Sequence, residues 1–383
     1  MSKVSIVRCG SYDPGEVRRA VASAVAPLGG MRAFVRPGAR VLLKPNLLIP
    51  AAPERAITTH PAVVEAVIGL VREAGGEPFI ADSPGGPLHN RLGMAALFRH
   101  SGLSEVARRT GVRLRAEPDS IQVPTPGGQL LKRLDLLASW READVVVSLP
   151  KLKTHNLTLI SGALKNPFGL VPGLAKPGYH AKLADIDQFC DMLLDVVACV
   201  RPVLTIMDGV LAMEGDGPST GGLPRALGLI LASPDPTALD AVVCRVIGVD
   251  PGGLALFRAA ERRGWWPVDI ALEGVPLEEA AARNFRLPAA RRAARPVRGK
   301  RWVSRFMTRA LTPRPVPRRD RCTACGDCAR MCPRDAIAVA GPAAVVDDER
   351  CIRCYCCHEI CPEAAVGLRF SPLGRLLRLA GLM

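Results

Sequence analysis

The sequence predicts an α/β protein: a mostly parallel sheet with crossover helices, followed by a small α+β module. Three observations carry this. Short apolar runs of strand length alternate with segments whose apolar residues recur at helical spacing, the pattern of strands joined by crossover helices. The composition, 48% hydrophobic with 4% aromatic, fits a sheet and helices rich in Ala, Val and Leu. The 383 residues exceed what one ordinary core requires, and nine of the thirteen cysteines crowd into residues 322–361, eight of them in a repeated pattern.

In chain order, Val4-Ser5-Ile6-Val7 reads as the first strand and Val41-Leu42-Leu43 as the next. Residues 61–74 carry apolar positions at helical spacing, and Gly75-Gly76 closes that helix, since glycine adopts the left-handed C-cap conformation without steric cost. Pro78-Phe79-Ile80-Ala81 is a short strand ending at Asp82, and Asp144-Val145-Val146-Val147-Ser148-Leu149 reads as a buried strand. A helix over 183–200, strands at 203–207 and 227–231, and a helix over 236–247 follow. The predicted organisation is an α/β domain over 1–290, a basic Pro/Arg-rich linker over 291–320, a small module over 321–370 and a tail over 371–383.

The small module carries one cysteine pattern twice: Cys322-x2-Cys325-x2-Cys328-x3-Cys332-Pro333 and, 29 residues later, Cys351-x2-Cys354-x2-Cys357-x3-Cys361-Pro362. This is the spacing of a two-cluster bacterial ferredoxin, in which three close thiolates and a fourth from the other repeat hold each 4Fe-4S cubane. The expected metal sets are Cys322, Cys325, Cys328 with Cys361, and Cys351, Cys354, Cys357 with Cys332. A zinc ribbon pairs two short knuckles, and a disulfide framework does not demand such regularity, so both fit less well. The matching tails Ala336-Ile337 and Ala365-Val366 extend the repeat beyond its ligands. Cys9, Cys190, Cys199 and Cys244 lie in apolar stretches and read as buried thiols of a reducing compartment, while Cys356 reads as a spectator beside Cys357.

The net charge of +15 is concentrated: residues 291–321 hold twelve Arg or Lys against Asp320 alone. Within them Arg301, Arg305 and Arg309 face away from Trp302, Val303, Phe306 and Met307, predicting a short basic amphipathic helix over 301–310, suited to an acidic partner or peripheral membrane contact. Stacking aromatics are not interleaved with this charge, so nucleic-acid binding is not expected. With no visible export signal and no apolar segment of spanning length, the predicted location is cytoplasmic.

In a parallel sheet, ligands bind beyond the carboxyl ends of the strands. Polar residues gather there: Lys44-Pro45-Asn46, Asp82-Ser83-Pro84-Gly85-Gly86, Pro150-Lys151-Leu152-Lys153-Thr154-His155, Asp208-Gly209 and the glycine-rich segment 214–222. The chain has nine lysines and 42 arginines, yet five of those lysines fall at 151, 153, 165, 176 and 182. A compact ammonium, able to lose its proton, is what such positions have in common, which predicts an anion-binding, proton-transferring pocket. His155, His180 and Lys153 are the predicted acid–base groups; Lys44, Asn46, Lys151, Lys165 and Asp208 are the predicted substrate contacts. His60 sits at a helix start where Thr59 is the expected cap, and His89 and His100 read as ordinary. Residues 215–222 offer backbone N–H groups to an anion. No Walker A lysine and no G-x-G-x-x-G after the first strand are present, so neither standard nucleotide site is indicated.

The segments Val41-Leu42-Leu43-Lys44-Pro45-Asn46, Thr58-Thr59-His60-Pro61, Leu149-Pro150-Lys151-Leu152-Lys153-Thr154-His155, Gly162-Ala163-Leu164-Lys165-Asn166, Asp208-Gly209 and Asp235-Pro236-Thr237-Ala238-Leu239-Asp240, in that order, resemble the domain of unknown function 362 family. The resemblance spans roughly residues 38–250 and implies an iron–sulfur protein whose α/β domain has uncharacterised chemistry. The expected function is a ferredoxin-coupled oxidoreductase passing electrons from two 4Fe-4S clusters to a small anionic substrate or cofactor at the strand ends. The alternative is an electron-transfer subunit that docks on a redox partner protein.

Overall fold

The computed structural model describes residues 1–85, 88, 90–267, 269–290 and 312–379. The segment 301–310, most of the predicted linker and His89 lie outside the described residues.

Strands of the first domain are β1 (Ser2–Arg8), β2 (Arg40–Pro45), β3 (Glu77–Ala81), β4 (Arg113–Arg115), β5 (Ser120–Pro124), β6 (Arg133–Leu137), β7 (Val145–Leu149), β8 (Lys151–His155), β9 (Leu159–Ile160), β10 (Leu204–Gly215), β11 (Gly222–Ser233) and β12 (Ile270–Gly274). β5 and β6 form a separate hairpin; the rest make one sheet in the order β12-β1-β11-β10-β7-β2-β3-β4, with β8 joining β10 and β9 joining β8. Along the main order β11 runs antiparallel to both neighbours, and every other pair is parallel, as the sequence predicts.

The side-chain alternation of β2 shows why the sheet is covered on both faces. Val41 and Leu43 pack into one apolar cluster with helices Pro14–Val25 and Pro61–Glu73, while Leu42 packs into a second with helix Ile186–Val200. That last helix opens where the Asp185 carboxylate accepts the N–H groups of Asp187 (2.9 Å) and Gln188 (3.1 Å). It buries Phe189, Leu193, Leu194 and Val196, each contributing roughly 1.5–3 kcal/mol.

Two elements differ from the sequence reading. Lys151–His155 is a strand, buried throughout, where the sequence suggested a polar segment past a strand end. Its period-two alternation was present, but charged residues are almost never fully buried unless paired, which argued for a loop. β10 and β11 are twelve-residue partners in a long hairpin, so the glycine-rich segment is the hairpin tip. The N–H groups of Gly215, Gly217 and Gly222 are taken by Arg286 O, Gly215 O and Ser219 O, not held open for an anion.

From β2 the chain builds β3 and β4 outward on one side, then returns to place β7 on the other side of β2. The topological switch point therefore lies between the carboxyl ends of β2 and β7.

The small domain is a two-fold repeat. β13 (Arg314–Pro317) pairs with β16 (Val366–Arg369), and β14 (Ile337–Ala340) with β15 (Ala343–Val346). Helices Asp327–Arg330 and Cys356–Ile360 start 29 residues apart, as do the left-handed pairs Ala324/Arg353, Gly326/Tyr355 and Asp335/Ala364. β13 falls inside the stretch read as linker. Arg318 N–H donates to Ala365 O, so Val316 N–H points the same way and the nitrogens of Pro315 and Pro317 face the opposite edge, where no donor is needed.

Candidate functional site

The cysteines of the two repeats come together. Cys322, Cys325, Cys328 and Cys361 line one cavity, three from the first repeat and the fourth from the second. Burial, and then the neighbouring Cys354, Cys351, Cys328 and Cys332, raise the Cys357 thiol pKa well above the ordinary value, so cysteines of both repeats surround it. Backbone N–H groups point at the sulfurs: Ala336 at Cys332 (3.2 Å), Ala365 at Cys361 (3.3 Å) and Ala344 at Cys322 (3.4 Å). The matching alanines of the two tails are thus the donors to the two fourth cysteines. Such donors favour thiolate over thiol, the form that binds iron. Among the described residues no three His, Cys, Asp or Glu side chains converge on a single-ion site. The thiols surround a space instead of a point, and the residues fit cubane clusters.

Directly beyond the switch point lies a cavity of about 80 Å³ between the two domains. Its floor comes from the strand ends and following loops: Lys44, Asn46, Lys153, Lys165, Lys176 and His180. Its roof is the small domain: Met331, Cys356, Glu359 and Ile360. Around it, Ile49, Ile57 and Met213 pack against Met331, Cys356 and Ile360. Polar contacts also join the domains, with Thr220 Oγ1 donating to Cys361 O (2.8 Å) and His358 Nε2 lying 2.9 Å from Asp216 O.

Burial governs the electrostatics of the floor. Lys44 Nζ pairs with Asp82 Oδ2 at 3.0 Å, and burial still lowers its pKa despite that carboxylate. Lys153 Nζ donates to Ile57 O (2.6 Å), and burial with Lys165 nearby pushes its pKa well down. Lys165, half-buried, has no hydrogen bond or ion pair for its ammonium among the described residues, and its removal from water lowers its pKa against the pull of Glu359. Lys176 donates to Ser83 O and lies over the Phe168 ring; burial brings its pKa to about 7. His180 stacks on Phe189 at 4.5 Å and is held at about 3 by burial and by Lys165.

Residues 41–245 match the family described as a domain of unknown function (DUF362), and residues 314–362 match a 4Fe-4S dicluster domain. The chain belongs to the DUF362 family. It is similar to Thylakoid-associated protein sll1697 of Synechocystis sp., with 39% identity over 297 residues that cover 75% of the chain and 88% of that protein.

The DUF362 motifs turn out to be fasteners around the cavity. Thr59 Oγ1 accepts from Asn46 N–H (2.8 Å) and donates to Leu149 O (2.6 Å), tying the ends of β2 and β7 together. His60, not Thr59, caps the following helix, its Nδ1 accepting from Ala62 N–H. Asn166 donates to Lys44 O (3.0 Å) and Ser148 Oγ (2.9 Å). Asp235 accepts from Thr237 and Ala238 at its helix start, and Asp240 accepts from Ala163 (2.6 Å) and Leu164 (2.9 Å). A side chain at Gly162 would place Cβ 2.0 Å from Asp240 Oδ1, so glycine is required for that approach.

Of the sequence-predicted residues, Lys44, Asn46, Lys153, Lys165 and His180 line the cavity. Lys151 and Asp208 do not. They pair at 2.8 Å, fully buried, with Tyr12 OH accepting from Lys151 (2.8 Å) and donating to Asp208 (2.8 Å). His155 lies behind Glu359, outside the lining. Lysine clustering already pointed at Lys176. Nothing in the periodicity pointed at Met331, Cys356 or Glu359, because the docking of one domain on another leaves no local pattern.

Proposed function

We propose that this DUF362 protein is an iron–sulfur oxidoreductase that delivers electrons to a small anionic substrate held in the interdomain cavity. Cys322, Cys325, Cys328 and Cys361 hold one cluster; Cys351, Cys354, Cys357 and Cys332 hold the other. The observation that carries the reading is the roof: Cys356 and Glu359 face the lysine floor from the helix Cys356–Ile360, which also carries Cys357. When bound, a 4Fe-4S cluster supplies electrons one at a time. Lys165 and Lys153 attract and orient the anion, Lys44 and Asn46 border it, and Lys176 and His180 are positioned to exchange protons with it. His155 is a positioning residue for Glu359 in this scheme, and Lys151 with Asp208 supports β8. The test is anaerobic reduction with dithionite followed by small anions recovered from the purified protein. Reoxidation by one of them supports the reading, and reduced clusters that no cavity ligand reoxidises would remove it.

A cytoplasmic setting belongs to the reading, supported by the buried unbridged thiols Cys9, Cys190, Cys199 and Cys244. A second reading, an electron-transfer subunit docked on a redox partner protein, is favoured by the exposure of Cys325 and by the thylakoid association in the relative's name. Among the described residues no helix is long and apolar enough to cross a membrane; the membrane contact that belongs to this second reading is a peripheral one, through the basic sequence 301–310. Loss of copurifying proteins on deleting 291–311, in a chain that turns nothing over alone, would favour this second reading.

A further inference from the structure

We propose that the interdomain cavity seats one anion of no more than about eight non-hydrogen atoms, bound at Lys165, and that a proton enters with it onto Lys176. This deepens the reading of the cavity as a substrate site and rests on it.

Size sets the first limit. A water needs about 10–15 Å³ of such space, so about 80 Å³ accommodates roughly five to eight atoms of water's size. Flavins and nucleotides are several times larger.

Charge sets the second. Lys44, Lys153, Lys165 and Lys176 line the cavity, and the carboxylates facing them are Asp82 and Glu359. Asp82 is engaged by Lys44 at 3.0 Å. Lys153 and Lys176 rest on the carbonyls of Ile57 and Ser83, whereas the Lys165 ammonium has no hydrogen bond or ion pair among the described residues. His180, only 8% exposed, has no hydrogen-bond partner among them either and lines the same space. Lys165 is half-buried and feels the charge of Glu359, yet no carboxylate stands at ion-pair distance from its ammonium; holding it there without a close counter-charge is costly, and a ligand anion supplies that partner.

Proton uptake follows from what surrounds Lys176. Lys44 at the end of β2, Asp82 at the end of β3 and Lys165 act on it, with Phe168 beneath; Lys153, His180, Cys356 and Glu359 complete the walls and roof, with His155 behind Glu359. Burial, with Lys44 and Lys165, holds it near 7 against the pull of Asp82. Above that pH its amine is largely neutral. An anion offsets Lys165 and attracts a proton to Lys176; below that pH the proton is already there.

The experiment is calorimetry of oxalate binding to the full-length, cluster-loaded protein under anaerobic conditions, in two buffers of different ionisation enthalpy. The expected result is uptake approaching one proton at pH 8, falling toward zero at pH 6. Lys165→Met should weaken oxalate at least tenfold, Lys176→Gln should remove most of the uptake, and the larger citrate should not compete. Intact cluster absorption with an unchanged far-ultraviolet circular dichroism spectrum certifies that both domains of each variant are folded, and the uptake of the unaltered protein needs no variant. Binding without proton uptake at pH 8, citrate competing as well as oxalate, or no binding of oxalate, acetate or nitrate at millimolar concentration would overturn the proposal. Oxalate binding with proton uptake, in a protein whose clusters no anion reoxidises, would uphold it while removing electron delivery.

Discussion

Glu359 Oε1, on the helix that roofs the cavity, stands 3.2 Å from His155 Nε2 at the end of β8. His155 Nδ1 accepts the N–H groups of Leu157 (3.1 Å) and Thr158 (3.3 Å), which assigns the hydrogen to Nε2. The two groups are close but not aligned, so neither atom has a hydrogen bond, and burial keeps His155 neutral by pushing its pKa well down. Polar chemistry from both domains meets at this contact. His155→Phe should fill the volume but remove the polar neighbour. The expected outcome is full cluster content, faster amide exchange over residues 356–360 and slower ligand-driven cluster reoxidation, while unchanged exchange would show that His155 does not hold Glu359.

Cluster assembly tests the ligand sets. Cys332→Ala should damage the cluster of Cys351, Cys354 and Cys357 and spare the one beside it in sequence. Electron paramagnetic resonance of the reduced protein distinguishes the two, and loss of the cluster at Cys322–Cys328 would reverse the assignment. Cys356→Ala should retain both clusters, because that thiol lines the interdomain cavity.

Asp240 tests the fasteners. Removing its carboxylate leaves the N–H groups of Ala163 and Leu164 buried and unpaired, at a cost of about 1–3 kcal/mol each. Asp240→Ala should lower the denaturation midpoint and also weaken anion binding, since Lys165 and Asn166 follow directly. Asp240→Asn should recover part of both. An Asp240→Ala protein with unchanged midpoint would contradict this role.

Acid sensitivity should arise from the buried His180 and the half-buried His60. His180 and His60 have folded-state values depressed to about 3 and about 4, chiefly by burial. Their contribution is therefore fully present above the unfolded value of about 6.5 and is lost as pH falls toward the folded values, at about 1.4 kcal/mol for each tenfold difference in proton affinity between the two states. Denaturant unfolding should show stability declining from pH 7 to pH 4, with a shallower decline in His180→Gln. Equal slopes for the two proteins would contradict it.

The fold was legible where one period dominated. The helix at Ile186–Val200 and strands β2, β3 and β7 follow from apolar spacing, and the dicluster repeat follows from cysteine spacing alone. β8 was not, because Lys151, Lys153 and His155 look solvated until Asp208, Ile57 and Glu359 are placed beside them. Half of the candidate site was legible for the same reason: Lys44, Lys153 and Lys165 lie at strand ends or in the loops that follow, whereas Cys356 and Glu359 arrive from a domain whose docking is a tertiary event.

The most direct test of electron delivery into the cavity is ligand-driven cluster reoxidation in Lys153→Arg beside Lys3→Arg. Lys153 is 3% exposed with Nζ 2.6 Å from Ile57 O, so a planar guanidinium of very high pKa neither fits nor gives up a proton. With small molecules recovered from the anaerobically purified protein as oxidants, dithionite-reduced Lys3→Arg should regain the oxidised spectrum at the rate of the unaltered chain. Lys153→Arg, with both clusters assembled, should remain reduced. Full reoxidation of Lys153→Arg would contradict the account and leave the cavity without a part in the chemistry.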